Sequence, residues 1–160
     1  RHRKMLLHQL EQLLVSTSKT TTDTYKYLHE IAEKIHRRSL IFLFTDMFQT
    51  DHESEALFEA LRHLKYNKHE VVLFHTYDAE LELNFNFDNS PKKLVDVETG
   101  ESIDLYAENI QSSYKILIEN YFKALKNKCL QYKIDYVAVD IKSGFNTVLT
   151  NYLISRRKFL

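Results

Sequence analysis

The stretch Leu40-Ile41-Phe42-Leu43-Phe44-Thr45-Asp46 decides the fold. Its first five residues are aliphatic or aromatic without a break, so both faces of an extended strand there are apolar. Such a run describes a strand of a parallel sheet covered on both sides, not the alternating strand of a half-solvated one. Two more runs share the character, Val71 to Phe74 and Tyr136 to Val139. Leu94 to Val97 and Ser102 to Leu105 differ: they alternate around Glu98-Thr99-Gly100-Glu101 and read as an inserted β-hairpin.

Helical periodicity fills the intervals. It predicts helices over about His2–Val15 (Leu6, Leu7, Leu10, Leu13, Leu14 inward), Asp23–Arg37 (Leu28, Ile31, Ala32, Ile35) and Ser54–Tyr66 (Leu57, Leu61, Leu64). Two more are predicted over Tyr106–Tyr132 (Ile110, Tyr114, Leu117, Tyr121, Leu125, Cys129) and Asn146–Arg157 (Leu149, Tyr152, Leu153). Helices alternating with buried strands make an α/β fold with a three-layer Rossmann-like parallel sheet and right-handed crossovers. The 160 residues suit one domain, and no internal repeat divides them.

Composition removes several functions. With Gly 2 and Pro 1 against about eleven and eight at ordinary usage, the chain has no place for a phosphate loop, a dinucleotide fingerprint or a nucleophile elbow. Its turns are expected to rest on Asp, Asn and Thr. Lys+Arg 22 balance Asp+Glu 22, which removes the general electrostatic case for nucleic acid or an anionic membrane. No apolar run approaches the ~20 residues of a membrane span. The lone Cys129 forms no internal disulfide, as expected of a cytoplasmic protein, and a buried hydrophobe explains it better than a reactive thiol.

Carboxylates mark the strand ends. Asp46, Asp78 and Asp140 each stand at or just beyond the end of one apolar strand, and open α/β sheets bind ligands at the carboxyl ends of their strands. Gathered there, they would suit a hard cation. Asp is also a common turn and cap residue, the competing explanation for all three. The histidines carry less. His29, Glu30, Glu33 and His36 lack the His-Glu-x-x-His spacing and read as a solvated helix face, while His75 reads as a hydrogen-bonded core residue. The aromatics of Tyr106–Tyr132 fall at core spacing, not as a base-stacking surface. Asn84-Phe85-Asn86-Phe87-Asp88-Asn89 reads as an exposed strand or recognition loop.

The run Arg38 to Phe48 resembles the strand ending in Thr/Ser-Asp in the von Willebrand factor A-like domain of a bacterial family of unknown function, often encoded beside MoxR-type AAA+ ATPases. Leu28 to Arg38, His69 to His75, Asp96 to Glu101 and Ile134 to Val137 are similar to that family in its order. Such domains build a metal-ion-dependent adhesion site from an Asp-x-Ser-x-Ser motif, a threonine and an aspartate on three loops. By position, the resemblance makes Asp46 the aspartate and Thr22 the threonine. The turn Thr20-Thr21-Thr22-Asp23-Thr24 lacks the family's glycine, so Thr21 and Thr24 remain candidates.

Asp-x-Ser-x-Ser is absent from these residues, and the chain opens on Arg1. The expectation is therefore a single partial von Willebrand factor A-like domain over 1–160, truncated before Arg1 by its first strand, first helix and an edge hairpin. Two ligands, one a neutral hydroxyl, fall short of the six oxygens a hard divalent cation takes, so no cofactor is expected here, though Mg²⁺ or Mn²⁺ is implied for a full-length parent. The resemblance implies a non-enzymatic protein-interaction module with an incomplete adhesion site and a protein partner, a MoxR-type AAA+ ATPase. Losing the strand that pairs beside Leu40–Phe44 would leave an apolar edge and favour a homodimer through it. The alternative is a metal-dependent hydrolase using Asp46, Asp78 and Asp140.

Overall fold

The computed structural model describes residues 2–15, 24–35, 38–47, 51–87, 90–95 and 100–157. Along the chain run α1 (His2–Val15), α2 (Thr24–Lys34), β1 (Leu40–Thr45), α3 (Asp51–Tyr66), β2 (Glu70–Tyr77), a single π-helical turn (Ala79–Leu83), β3 (Lys92–Val95), β4 (Ser102–Leu105), α4 (Ala107–Gln131), β5 (Asp135–Asp140) and α5 (Phe145–Arg157). The three apolar runs form one parallel sheet in the order β1-β2-β5, with β2 in the centre. The fold is α/β. β3 and β4 form a separate antiparallel pair, Lys92 opposite Leu105 and Val95 opposite Ser102, and residues 96–99 between them lie outside the described residues.

Two cores sandwich the sheet. Because side chains alternate along a strand, Val71 and Leu73 of β2 face one way and Val72 and Phe74 the other. The first pair joins a large cluster with Leu28 and Ala32 of α2, Leu57, Phe58, Ala60, Leu61 and Leu64 of α3, and Leu125 and Cys129 of α4. Among the described residues the second pair meets only Tyr152 of α5 as a buried partner, with Val137, Val139 and Val148 half-buried around them. Helices thus cover both faces, unequally. β1 shows the consequence: Ile41 and Leu43 pack on the large cluster, while Leu40, Phe42 and Phe44 are exposed. The expectation that this strand is covered on both sides is corrected.

Helix faces shift as well. On α4 the inward stripe is Tyr114, Ile118, Tyr121, Phe122, Leu125 and Cys129, whereas Leu117 is 68% exposed. Ile31 of α2 and Leu149 and Leu153 of α5 are also exposed, leaving Leu28 with Ala32, and Tyr152, as the buried positions. On α1, Leu6 and Leu7 are exposed. Each helix has more apolar positions than one face holds, and the element it lies against selects among them.

Glycine scarcity is met in an unexpected way. Arg38, Lys68 and Lys133, each leading into a parallel strand, take left-handed backbone at φ 65°, 64° and 56°. After α3, the His69 N–H donates to the Leu64 carbonyl at 3.1 Å, and after α4 the Ile134 N–H donates to the Cys129 carbonyl at 2.9 Å. These are the six-to-one bonds of a helix-ending turn that ordinarily uses glycine. Lysine occupies it here, and its charge complements the helix C-terminus. Asp, Asn and Thr do not take these left-handed helix-end positions; Thr45, Asp78 and Asp140 shape the turns at the strand ends instead.

Candidate functional site at the strand-end rim

Parallel strands put their carboxyl ends on one edge of the sheet, so Asp46, Asp78 and Asp140 share a rim. Thr45 pairs with His75 and Tyr77 with Asp140 across the ladders. Thr22 lies outside the described residues, as does Thr21, and Thr24 opens α2.

The end of β1 is held from three directions. The Thr45 Oγ1 accepts the Met47 N–H at 3.1 Å, a short hydroxyl turn that lets Met47 enter left-handed backbone at φ 59°. The Asp46 carbonyl lies 2.9 Å from His75 Nε2, and the Met47 carbonyl accepts from the Tyr121 hydroxyl of α4. Met47 itself is buried. The clamp leaves Asp46 exposed at the tip of the strand.

His75 is the hub, fully buried on the central strand. A carbonyl only accepts, so Nε2 carries the proton, and Nδ1, 2.8 Å from the Tyr136 oxygen, accepts from that hydroxyl. Burial lowers its pKa, and the Asp46 carbonyl and charge offset part of that. The ring is therefore neutral, with both nitrogens engaged. It packs 4.5 Å from Phe122 between ring centroids. This bears out a hydrogen-bonded core histidine. The same burial pushes the Cys129 thiol up to about 12, the environment of an inert side chain.

Asp78 and Asp140 are committed to the backbone. The Asp78 carboxylate accepts the Glu80 and Leu81 N–H groups at 3.0 and 3.2 Å, capping the π-helical turn, and meets Lys142 Nζ at 3.1 Å. Burial acts to raise its pKa, but Lys142 and the two N–H donors outweigh it, and the net shift is downward. Asp140 Oδ1 accepts the Lys142 N–H at 3.1 Å, and the Asp140 carbonyl accepts from the Ser143 hydroxyl at 2.7 Å. Lys142 Nζ also reaches Glu80 at 2.6 Å.

Glu82 is an acidic member of the rim that sequence reasoning missed. Its Oε2 is buried without a hydrogen-bond partner. Burial, then the charges of Asp46 and Asp78, raise its pKa. Glu82 follows no strand directly, and the π-helical turn that brings it in has no mark in the sequence. Phe85 belongs to the same support: it is buried at positive φ, 4.5 Å from the Tyr114 ring centroid, and its carbonyl accepts from Gln111. The exposed recognition loop expected from Asn84 onward is corrected at Phe85; Asp88 and Asn89 lie outside the described residues.

Mg²⁺ or Mn²⁺ would need converging oxygen donors. Among the described residues no group of three His, Cys, Asp or Glu converges in a way that could hold a metal. With the Asp78 carboxylate taken by Lys142 and two N–H groups, the described donors do not fit such an ion. No described helix is long and apolar enough to cross a membrane. No family model, curated protein or solved structure matches this chain.

Proposed function

We propose that this chain is a non-enzymatic protein-interaction module of the von Willebrand factor A-like kind, with an incomplete metal-ion-dependent adhesion site. Its partner is a MoxR-type AAA+ ATPase, engaged through the strand-end rim, and the chain pairs with a second copy through the β1 edge, Leu40–Phe44. The observation that carries this reading is the hydrogen-bonded clamp at Thr45-Asp46-Met47. It presents an exposed carboxylate at the tip of an edge strand whose Phe42 and Phe44 rings are 46% and 65% exposed. An apolar edge beside a fixed charge is a surface that recognises protein. The sequence resemblance supplies the family and the partner.

The hydrolase reading requires Asp78 to be released from Lys142 and its capping bonds before it could join Asp46 and Asp140. The test is biolayer interferometry between the full chain and the MoxR-type ATPase of the same genome. Wild type is expected to bind, with Asp46→Ala at least tenfold weaker. Absence of binding at 50 μM overturns the partner. Turnover of p-nitrophenyl phosphate with Mn²⁺ that vanishes in Asp46→Asn overturns the non-enzymatic reading.

A further inference from the structure

A second constellation stands apart from the rim, in the groove between α2 and α3. His29 of α2 and His63 of α3, 34 positions apart in the chain, bring their Nδ1 atoms to 3.1 Å, with ring centroids 5.4 Å apart and planes inclined by 41°. Both residues are half-buried, so solvent reaches the groove. Their seat is firm. His29 adjoins the buried Leu28, His63 adjoins the fully buried Leu64, and Asn67 Nδ2 donates to the Ala32 carbonyl at 2.9 Å, tying the helices one turn further on.

Two imidazole nitrogens facing each other share one proton: one donates, and the other must accept. An ion that accepts a lone pair from both replaces that proton. We propose that His29 and His63 form an inter-helix site for a borderline divalent transition metal, Zn²⁺, bound through the two Nδ1 atoms with water at the remaining positions. Zn–N bonds of about 2.0–2.1 Å at a tetrahedral angle place two nitrogens roughly 3.3–3.4 Å apart. The pair stands a few tenths of an ångström inside that distance, and to admit the ion the two rings must turn their lone pairs from each other toward a common point. Imidazole favours Zn²⁺, Cu²⁺ and Ni²⁺ over Mg²⁺ and Ca²⁺. No third His, Cys, Asp or Glu among the described residues joins the pair, so half a structural zinc set is present and affinity falls in the micromolar range.

The site depends on neither the rim nor the proposed partner. Isothermal titration of the full chain with ZnCl₂ in metal-free buffer tests it, beside MgCl₂ and the variants His29→Gln and His63→Gln. Wild type is expected to bind one Zn²⁺ at micromolar affinity and to ignore Mg²⁺. Each single variant should lose at least tenfold, and the double variant should lose less than the product of the two single losses. Unchanged affinity in both variants, which would put the zinc on other histidines, overturns the proposal, as does no binding at 1 mM. Should a variant fail to fold, ring ¹⁵N spectra of the wild type decide: zinc must shift Nδ1 of these two histidines, and shifts confined to others refute the site.

Discussion

The two faces of the parallel sheet are made from the same strands and have unequal fates. Toward α2, α3 and α4, β2 contributes Val71 and Leu73 to a cluster in which Ala60, Leu61, Leu64, Leu73 and Cys129 are all 0% exposed. Toward α5, Val72 and Phe74 find one buried partner among the described residues, Tyr152; of β1, Phe44 stacks on Phe74 at 4.7 Å and Phe42 lies tilted at 5.7 Å, both partly in water. An apolar run that is continuous in sequence therefore says that a strand can be covered twice. Whether it is covered twice depends on how many helices lie on each side.

The largest expected effect separates the faces directly. Leu61→Ala on the closed face should cost about 3 kcal/mol, because a fully packed site keeps the cavity. Phe42→Ala on the open face should cost about 1 kcal/mol, since nearly half of that residue is already exposed. Urea unfolding of both variants measures the difference, and equal costs would break the comparison.

His75 sharpens it at the point where the closed face meets the rim. His75→Phe keeps ring volume but leaves the Tyr136 hydroxyl and Asp46 carbonyl unpaired, at about 2 kcal/mol. The pH dependence follows from the lowered folded pKa. Between the folded value and the unfolded value of about 6.5, the unfolded chain binds the extra proton. The contribution of His75 is thus complete above that unfolded value and is lost as pH falls below it toward the folded pKa. Urea midpoints from pH 8 to 5 should fall less steeply in the variant than in wild type; parallel slopes would mean that this ring is not the titrating group.

The smallest effect on stability belongs to the open edge. Phe44→Lys should change stability by within about 0.5 kcal/mol, because the side chain is already 65% exposed, yet it should abolish concentration-dependent self-association. Light scattering across a dilution series reads both chains. A wild type that stays monomeric throughout removes the homodimer.

Much of the fold is legible in the sequence for local reasons. The runs at Leu40, Val71 and Tyr136 are short and continuously apolar, and each forms a strand of the parallel sheet, although only Val71–Phe74 is buried on both faces. Helix faces were less legible: Leu117 and Ile118 are adjacent and equally apolar, and only the sheet beneath α4 decides that Ile118 is buried while Leu117 is exposed. At the rim, Asp46, Asp78 and Asp140 stand out as strand ends, yet what engages them does not. Lys142 joins Asp78 across 64 positions because β5 pairs with β2, and nothing near either residue announces it.

By itself, the sequence determined the three parallel strands and the five α-helices, that phosphate loops have no place here, and which carboxylates end the strands. These follow from hydrophobic period and composition, properties of neighbouring residues. Tertiary structure alone decided that lysines at 68 and 133 take turns usually given to glycine, that Glu82 and His75 join the rim, and that His29 faces His63. The physical reason is common to all of them: each depends on the packing of elements distant in sequence, where the surroundings of a side chain set its exposure, charge and partner.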